Sequence, residues 1–334
     1  MRGPHTLTRA LWALLIIVVS VSAALAQGTE PPPGEPYQAE SPVSDQKAGS
    51  VLFFNLYSSS LSNSKSENTR INITNTNPDR DVAVHLFLVD GATCAPADSY
   101  ICLTASQTAS FLVSDIDPGV MGFIVAIATD NDGVPINFNY LIGDEHVKLA
   151  SGHAANLGAE AFSAIQPDPA YMVDPFRALL MFNDWHYSDA PRMLALDYVP
   201  SPKDGNRTLL IINRFGGDLI TGDRWVGSIF GVMYNDAEIP FSFSFYGGSC
   251  QVKQQLSDSF PRTVPSLSTA IPSGRSGWMK FWSAGAPDNN KPGILGSVLY
   301  YNYDDGSQQG HNLHKLTTTV VGEGYFVPVF PPPC

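Results

Sequence analysis

Between residues 49 and 330 the apolar side chains recur mostly at every second position. In 240–246, Phe241, Phe243 and Phe245 alternate with Ser242 and Ser244, the period of a half-buried strand. Segments 70–74, 82–89, 122–129 and 208–213 are equally rich in Ile, Val and Phe and predict further strands. The sequences between them have the residue types of tight turns: Asn77-Pro78-Asp79, Asp130-Asn131-Asp132-Gly133, Asp204-Gly205-Asn206 and Asp304-Asp305-Gly306. One stretch, 151–165, is Ala-rich instead. It predicts a linker with a short helix, stopped by Pro167 and Pro169.

Sliding the second half of the chain over the first brings five motifs into the same order. Segment 51–55 lies over 179–183, 69–75 over 207–213, 86–94 over 242–250, 116–123 over 271–278, and 138–144 over 298–304. The second copy has extra length at 216–238. Each copy holds about seven strand candidates, the number a β-sandwich needs. The expected fold class is therefore all-β: two tandem immunoglobulin-like antiparallel β-sandwich domains related by internal duplication, at 49–150 and 177–334, joined by the linker 151–176.

Some of these motifs are family-like. The strand–turn unit ending at Asp90-Gly91, the turn Ile116-Asp117-Pro118-Gly119 with the strand from Gly122, and 139–144 leading into 151–156 resemble uncharacterised secreted bacterial proteins with tandem immunoglobulin-like β-sandwich repeats. The resemblance spans about two thirds of the chain and implies a fold and a location, without an activity.

The N-terminus agrees with that location. Arg2 and Arg9 precede an apolar run from Leu11 to Val21, and Ala24-Leu25-Ala26 follows it, the layout of a signal peptide (1–26) cleaved after Ala26. A Pro- and Gly-rich leader follows at 27–48, and no second stretch reaches membrane length. The whole chain carries 19 Lys and Arg against 31 Asp and Glu, a formal net charge of −12. Loss of Arg2 and Arg9 makes it −14, which argues against nucleic acid as a partner and leaves an extracellular protein or polysaccharide. Four cysteines in an exported chain predict two disulfides. Three pairings are open; proximity favours Cys94 with Cys102, leaving Cys250 to tie down Cys334.

Candidate chemistry is sparse. A serine hydrolase would have to bring His153, Asp144 and a serine together, but there is no Gly-x-Ser-x-Gly. The cysteines read as structural, so no catalytic residue is expected. His311 and His314, with His146 and His153 elsewhere, would share a face for zinc only on a helix, and their surroundings read as loop and strand. No cofactor motif is present; calcium is the one candidate ion, with Asp130 and Asp132 helped by Asp115 and Asp117, against the simpler reading of an Asn-Asp-Gly turn. Trp185, Tyr187 and Trp225 are the candidate ligand-binding aromatics, whereas Trp278 and Tyr300, aligned with Phe123 and Tyr140, are expected in the core. The sequence thus predicts an exported binding or structural protein acting through its loops. Alternatives are a carbohydrate-binding module, or a self-assembling subunit that exchanges the strand at 327–330.

Overall fold

The computed structural model describes residues 43–222, 225–284, 292–317 and 323–334. The expected signal peptide and the leader up to residue 42 lie outside them. All described residues belong to one unit, Glu40–Cys334. The alternating segments form strands: β1 (Val51–Ser58), β2 (Asn68–Asn75), β3 (Val82–Asp90), β4 (Pro96–Leu103), β5 (Thr108–Leu112), β6 (Met121–Thr129), β7 (Leu141–Lys148), β8 (Ala154–Gly158) and β9 (Glu160–Phe162). They pair antiparallel into sheet I, in the order β4-β3-β6-β1-β9, and sheet II, in the order β5-β2-β7-β8. Next come β10 (Ala170–Asp174), β11 (Arg177–Phe182), β12 (Met193–Pro200), β13 (Asn206–Phe215), β14 (Gly217–Asp218), β15 (Gly227–Asn235) and β16 (Pro240–Gly247). The chain ends with β17 (Gln251–Gln255), β18 (Ser276–Ser283), β19 (Gly293–Asn302), β20 (Gln308–Asn312), β21 (His314–Thr317) and β22 (Glu323–Pro328). These build sheet III (β16-β15-β18-β12-β21), sheet IV (β17-β13-β19-β20) and sheet V (β10-β11-β22-β14).

Sheets III and IV repeat the strand order of sheets I and II. Substituting β12, β13, β15, β16, β17, β18, β19, β20 and β21 for β1 to β9 in turn converts one pair of sheets into the other. The ladders align the residues. Tyr57 of β1 faces Gly122 and Val199 of β12 faces Gly277, and in both pairings a bulge immediately precedes, between Phe54 and Tyr57 and between Leu196 and Val199.

This register keeps two of the five expected matches, 69–75 with 207–213 and 116–123 with 271–278. The other three shift. Segment 179–183 lies at β11 in sheet V, while β12 is the counterpart of β1. Strand β3 corresponds to β15 rather than β16, so much of the expected insertion at 216–238 is β15 itself. Leu141 faces Asn75 as Leu295 faces Asn213, so Tyr140 is not the counterpart of Tyr300. Period-two segments fit one another equally well when slid by a whole hairpin. The expected helix within 151–165 is also absent: the segment forms β8 and β9, with Ala155, Leu157 and Ala161 buried, and tertiary pairing outweighs alanine's helix propensity.

The disulfides are Cys94–Cys250 and Cys102–Cys334, not the pairing that proximity favours. Strand β4 runs extended between Cys94 and Cys102; eight such residues span about 25 Å, far beyond bridging distance. The first bond links the β3–β4 turn to the β16–β17 turn. The second pins the C-terminal tail to β4, where Tyr100 also donates its hydroxyl to the Phe330 carbonyl. Strand β22 is paired on both sides, with β11 and with β14, and Val327 and Val329 are buried. The β14 pairing covers Tyr325 and Phe326, while Val327 and Pro328 pair with β11 alone.

Strand β1 is buried along its whole length. One face, with Leu52 and Phe54, enters the core between sheets I and II. The other, with Val51 and Phe53, lies under sheet V in a second core with Leu180, Phe182, Tyr325 and Val327. Phe215 of sheet IV enters this core and packs 4.7 Å from Phe162, 4.7 Å from Phe182 and 5.1 Å from Tyr325, so three sheets meet on one ring.

Beside it runs a buried polar seam. Asn55, in the β1 bulge, donates to Asn312 Oδ1 and receives the Asn213 amide on its carbonyl and side-chain oxygens. Gln251 donates to Asn213 and to the Gly122 carbonyl. The Glu145 carboxylate accepts from the Leu56 N–H at 3.1 Å, and Glu160 is paired with Lys315. Burial raises the pKa of Glu145 well above its ordinary value. Burial also pushes Glu160 up to about 7, although Lys315 opposes the rise.

Non-reducing peptide mapping should recover Cys94 joined to Cys250 and Cys102 to Cys334, and a Cys94–Cys102 peptide would contradict the fold. Replacing Cys94 and Cys250 by Ala should cost about 5 kcal/mol by loop entropy, measured by denaturant unfolding. A second expectation concerns pH. Carboxyl groups whose folded pKa is raised stabilise the fold fully below their unfolded value of about 4.3, and that contribution is lost as pH rises through the folded value. Stability should therefore fall between about pH 4.5 and 7, and Glu145→Gln should flatten the dependence. Equal slopes for the two proteins in thermal melts across this range would refute the assignment.

Candidate functional site

Sheet I shows what the outer face of such a sheet requires. Its outward positions Val51, Phe53, His85, Phe87, Val89, Phe123, Val125 and Ile127 are all apolar or aromatic, and all are buried. Sheet V covers most of them, and Tyr100 and Phe330 pack on His85. By ladder register the matching positions of sheet III are Met193, Ala195, Phe230, Val232, Tyr234, Trp278, Lys280 and Trp282. These remain strongly aromatic, yet Phe230 is 36% and Trp278 38% exposed.

The rings on this face are ordered by one another. Tyr234 and Trp278 oppose each other across β15 and β18 and stack at 4.6 Å with their planes 10° apart. Phe230 and Trp282, opposed further along the same ladder, lie 5.2 Å apart. Cross-strand aromatic pairs of this kind stabilise a sheet and fix ring orientation at once. Ser242 and Ser244, exposed on edge strand β16, flank them, and Tyr246 extends the face. Tyr246 also lines a cleft of about 570 Å³ with Gly91, Met121, Gln251, Lys253 and Phe260. The result is an aromatic surface bordered by hydroxyl groups, with Lys280 as its single charge among the matched positions. Such a surface stacks on flat apolar patches and hydrogen-bonds around their rim.

The expected ligand-binding aromatics are not on this face. Trp185 is exposed in the turn after β11, and Trp225 is exposed ahead of β15. Tyr187 is fully buried and stacks on Phe182 at 5.2 Å, which makes it a core residue. Trp278 moves the other way, from expected core to surface. It does match Phe123, but Phe123 lies in the core that sheet V closes and Trp278 does not. Tyr300 is buried as expected and donates its hydroxyl to the Tyr198 carbonyl at 2.6 Å.

The structure separates the calcium candidates. Asp115 and Asp117 precede β6 whereas Asp130 and Asp132 follow it, so a strand of about 30 Å lies between the pairs. Two of them are engaged locally. Asp130 caps its own turn by accepting from the Asp132 and Val134 N–H groups, and Asp117 accepts from the Tyr57 hydroxyl. The hydrolase geometry is not met. Ser151 lies 3.0 Å from His153 Nδ1, but His153 is buried and its Nε2 bonds the Arg207 carbonyl, while Asp144 accepts from Asn72. Among the described residues one group has the makings of a metal centre: Asp197, His311 and His314, at the β12–β21 edge of sheet III.

No protein-family model matches the chain, and no curated protein does.

Proposed function

We propose that this chain is an exported, non-catalytic binding protein that engages a neutral polysaccharide through the outer face of sheet III. The observation carrying this reading is the contrast between two sheets of one topology: the aromatic outer face is covered in sheet I, and no described strand covers that of sheet III. Exposing paired aromatic rings costs solvation free energy, about 25 cal/mol for each Å² left in water. A bare contiguous patch is characteristic of a binding site. Sugar rings present flat C–H faces to aromatic rings and hydroxyl groups to serines, which is the composition found here. The net charge of −12 repels polyanions and favours an uncharged glycan. Two disulfides suit an oxidising compartment, in keeping with the signal peptide expected at 1–26, and among the described residues no helix is long and apolar enough to cross a membrane.

Binding to insoluble neutral polysaccharides tests this. Retention should fall by roughly tenfold in Trp278→Ala and in Phe230→Ala, as expected when a central aromatic anchor is removed, and should be unchanged in Trp185→Ala. Retention that depends on Trp185 or Trp225 would move the site to the loops. Absence of retention on every neutral polysaccharide, with retention on a protein partner, would replace the glycan by a protein.

A further inference from the structure

The β12 bulge does more than interrupt a ladder. A bulge re-aims side chains, and here the step between Leu196 and Val199 turns both Asp197 and Tyr198 to solvent. The Tyr300 hydroxyl, bonded to the Tyr198 carbonyl, holds the bulged backbone in place. Across from it, the chain leaves sheet IV at His311 and Asn312, buries Leu313, and enters sheet III at His314. That change of sheet turns the two imidazoles toward one carboxylate. His311 Nε2 lies 3.4 Å from Asp197 Oδ1, and His314 Nε2 lies 3.4 Å from Asp197 Oδ2. One ligand atom from each of the three residues falls within 4.8 Å of the other two.

We propose that Asp197, His311 and His314 bind one divalent transition-metal ion of the zinc class. Three observations converge on it. Zinc with nitrogen and oxygen ligands at about 2.0–2.1 Å in a tetrahedron places neighbouring ligand atoms about 3.3–3.4 Å apart; each histidine Nε2 stands 3.4 Å from one of the two Asp197 oxygens, and one ligand atom per residue fits within 4.8 Å of the other two. Direct charge-assisted hydrogen bonds would be shorter, at about 2.7–2.9 Å. Next, His311 Nδ1 lies 2.9 Å from the Asn312 carbonyl. A carbonyl only accepts, so Nδ1 donates to it and Nε2 is the ring nitrogen turned to the carboxylate. A backbone carbonyl on the far nitrogen is the usual support of a metal-bound histidine, and here it leaves Nε2 as the atom aimed at Asp197.

Finally, the matching positions in the first sandwich are Asn55, Gly158 and Glu160. There they are occupied by the buried seam, in which Asn55 bonds Asn213 and Asn312 while Glu160 pairs with Lys315. At the second site the side chains are metal-ligand types, with Asp197 58% and His314 57% exposed. The ion would clip β20 of sheet IV to β12 and β21 of sheet III, closing an edge that the seam closes in the first sandwich. Its remaining coordination positions would face solvent, open to water or to a donor atom of a bound partner.

The test is zinc titration of the full, chelator-treated chain by calorimetry, with cobalt as a spectroscopic probe. We expect one zinc ion per chain, a cobalt complex with the intense visible absorption of tetrahedral coordination, and a rise in thermal midpoint on adding zinc. All three should be lost in Asp197→Asn/His314→Gln and retained in His146→Ala. Both variants change exposed side chains, so their midpoints in chelator should match that of the parent; a lowered midpoint in the double variant transfers the test to His311→Asn alone. Absence of stoichiometric binding by the parent, or equal binding by the parent and the Asp197 variant, overturns the proposal. Octahedral cobalt spectra would overturn the tetrahedral zinc-class assignment.

Discussion

A sheet that is apolar on both faces must be covered twice, and this requirement organises the molecule. Strand β1 has no polar face to give to water, so sheet I is closed by sheet II on one side and by sheet V on the other. Sheet V is assembled mainly from the chain between the two sandwiches (β10, β11) and from the last strand (β22). The cover thus draws the linker and the C-terminus onto the first sandwich. Phe215 then fastens the second sandwich to the same core. The polar seam adds specificity where the bulge of β1 would otherwise leave backbone groups unpaired in the interior.

Among the described residues, the second sandwich repeats the strand order but not the cover. Its outer sheet stays aromatic, with Phe230 and Trp278 where the first has His85 and Phe123 and with Tyr234 and Trp282 where the first has Val89 and Ile127, and adds Lys280 and neighbouring serines that a sealed interface would not hold. The asymmetry gives the functional reading its direction. Identical topology isolates the one variable, whether a sheet lies on top, and the chemistry of the exposed face has changed to suit exposure while remaining adhesive. The same contrast recurs at the bulges. Asn55 joins an internal hydrogen-bond network, whereas Asp197 faces two histidines at the surface.

Much of this architecture is legible in the sequence. Period-two segments such as 240–246 mark strands, the Asn-Asp-Gly turn at 131–133 falls where a turn is needed, and two of the matches fall at equivalent places in the repeated strand order. The rest depends on contacts between residues distant in sequence. A period-two pattern carries no label for which hairpin it belongs to, so β3 aligns with β16 as readily as with its true counterpart β15. Cys94 and Cys102 are neighbours in sequence, but the extended β4 holds them apart. Trp278 and Phe123 align correctly, yet only the position of sheet V decides that one is exposed and the other buried. His311 and His314 stand out as a pair, while Asp197, over a hundred residues away, gives no sign in the sequence of joining them.

The proposed ligand seat is the bare face of sheet III. Hydroxyl-radical footprinting with and without a bound neutral polysaccharide reads side-chain accessibility there residue by residue. Phe230, Tyr234, Trp278 and Trp282 are expected to be oxidised in the free protein and protected in the complex, with Trp185 and Trp225 unchanged. Protection confined to Trp185 and Trp225, with sheet III oxidised equally in both states, would contradict that placement.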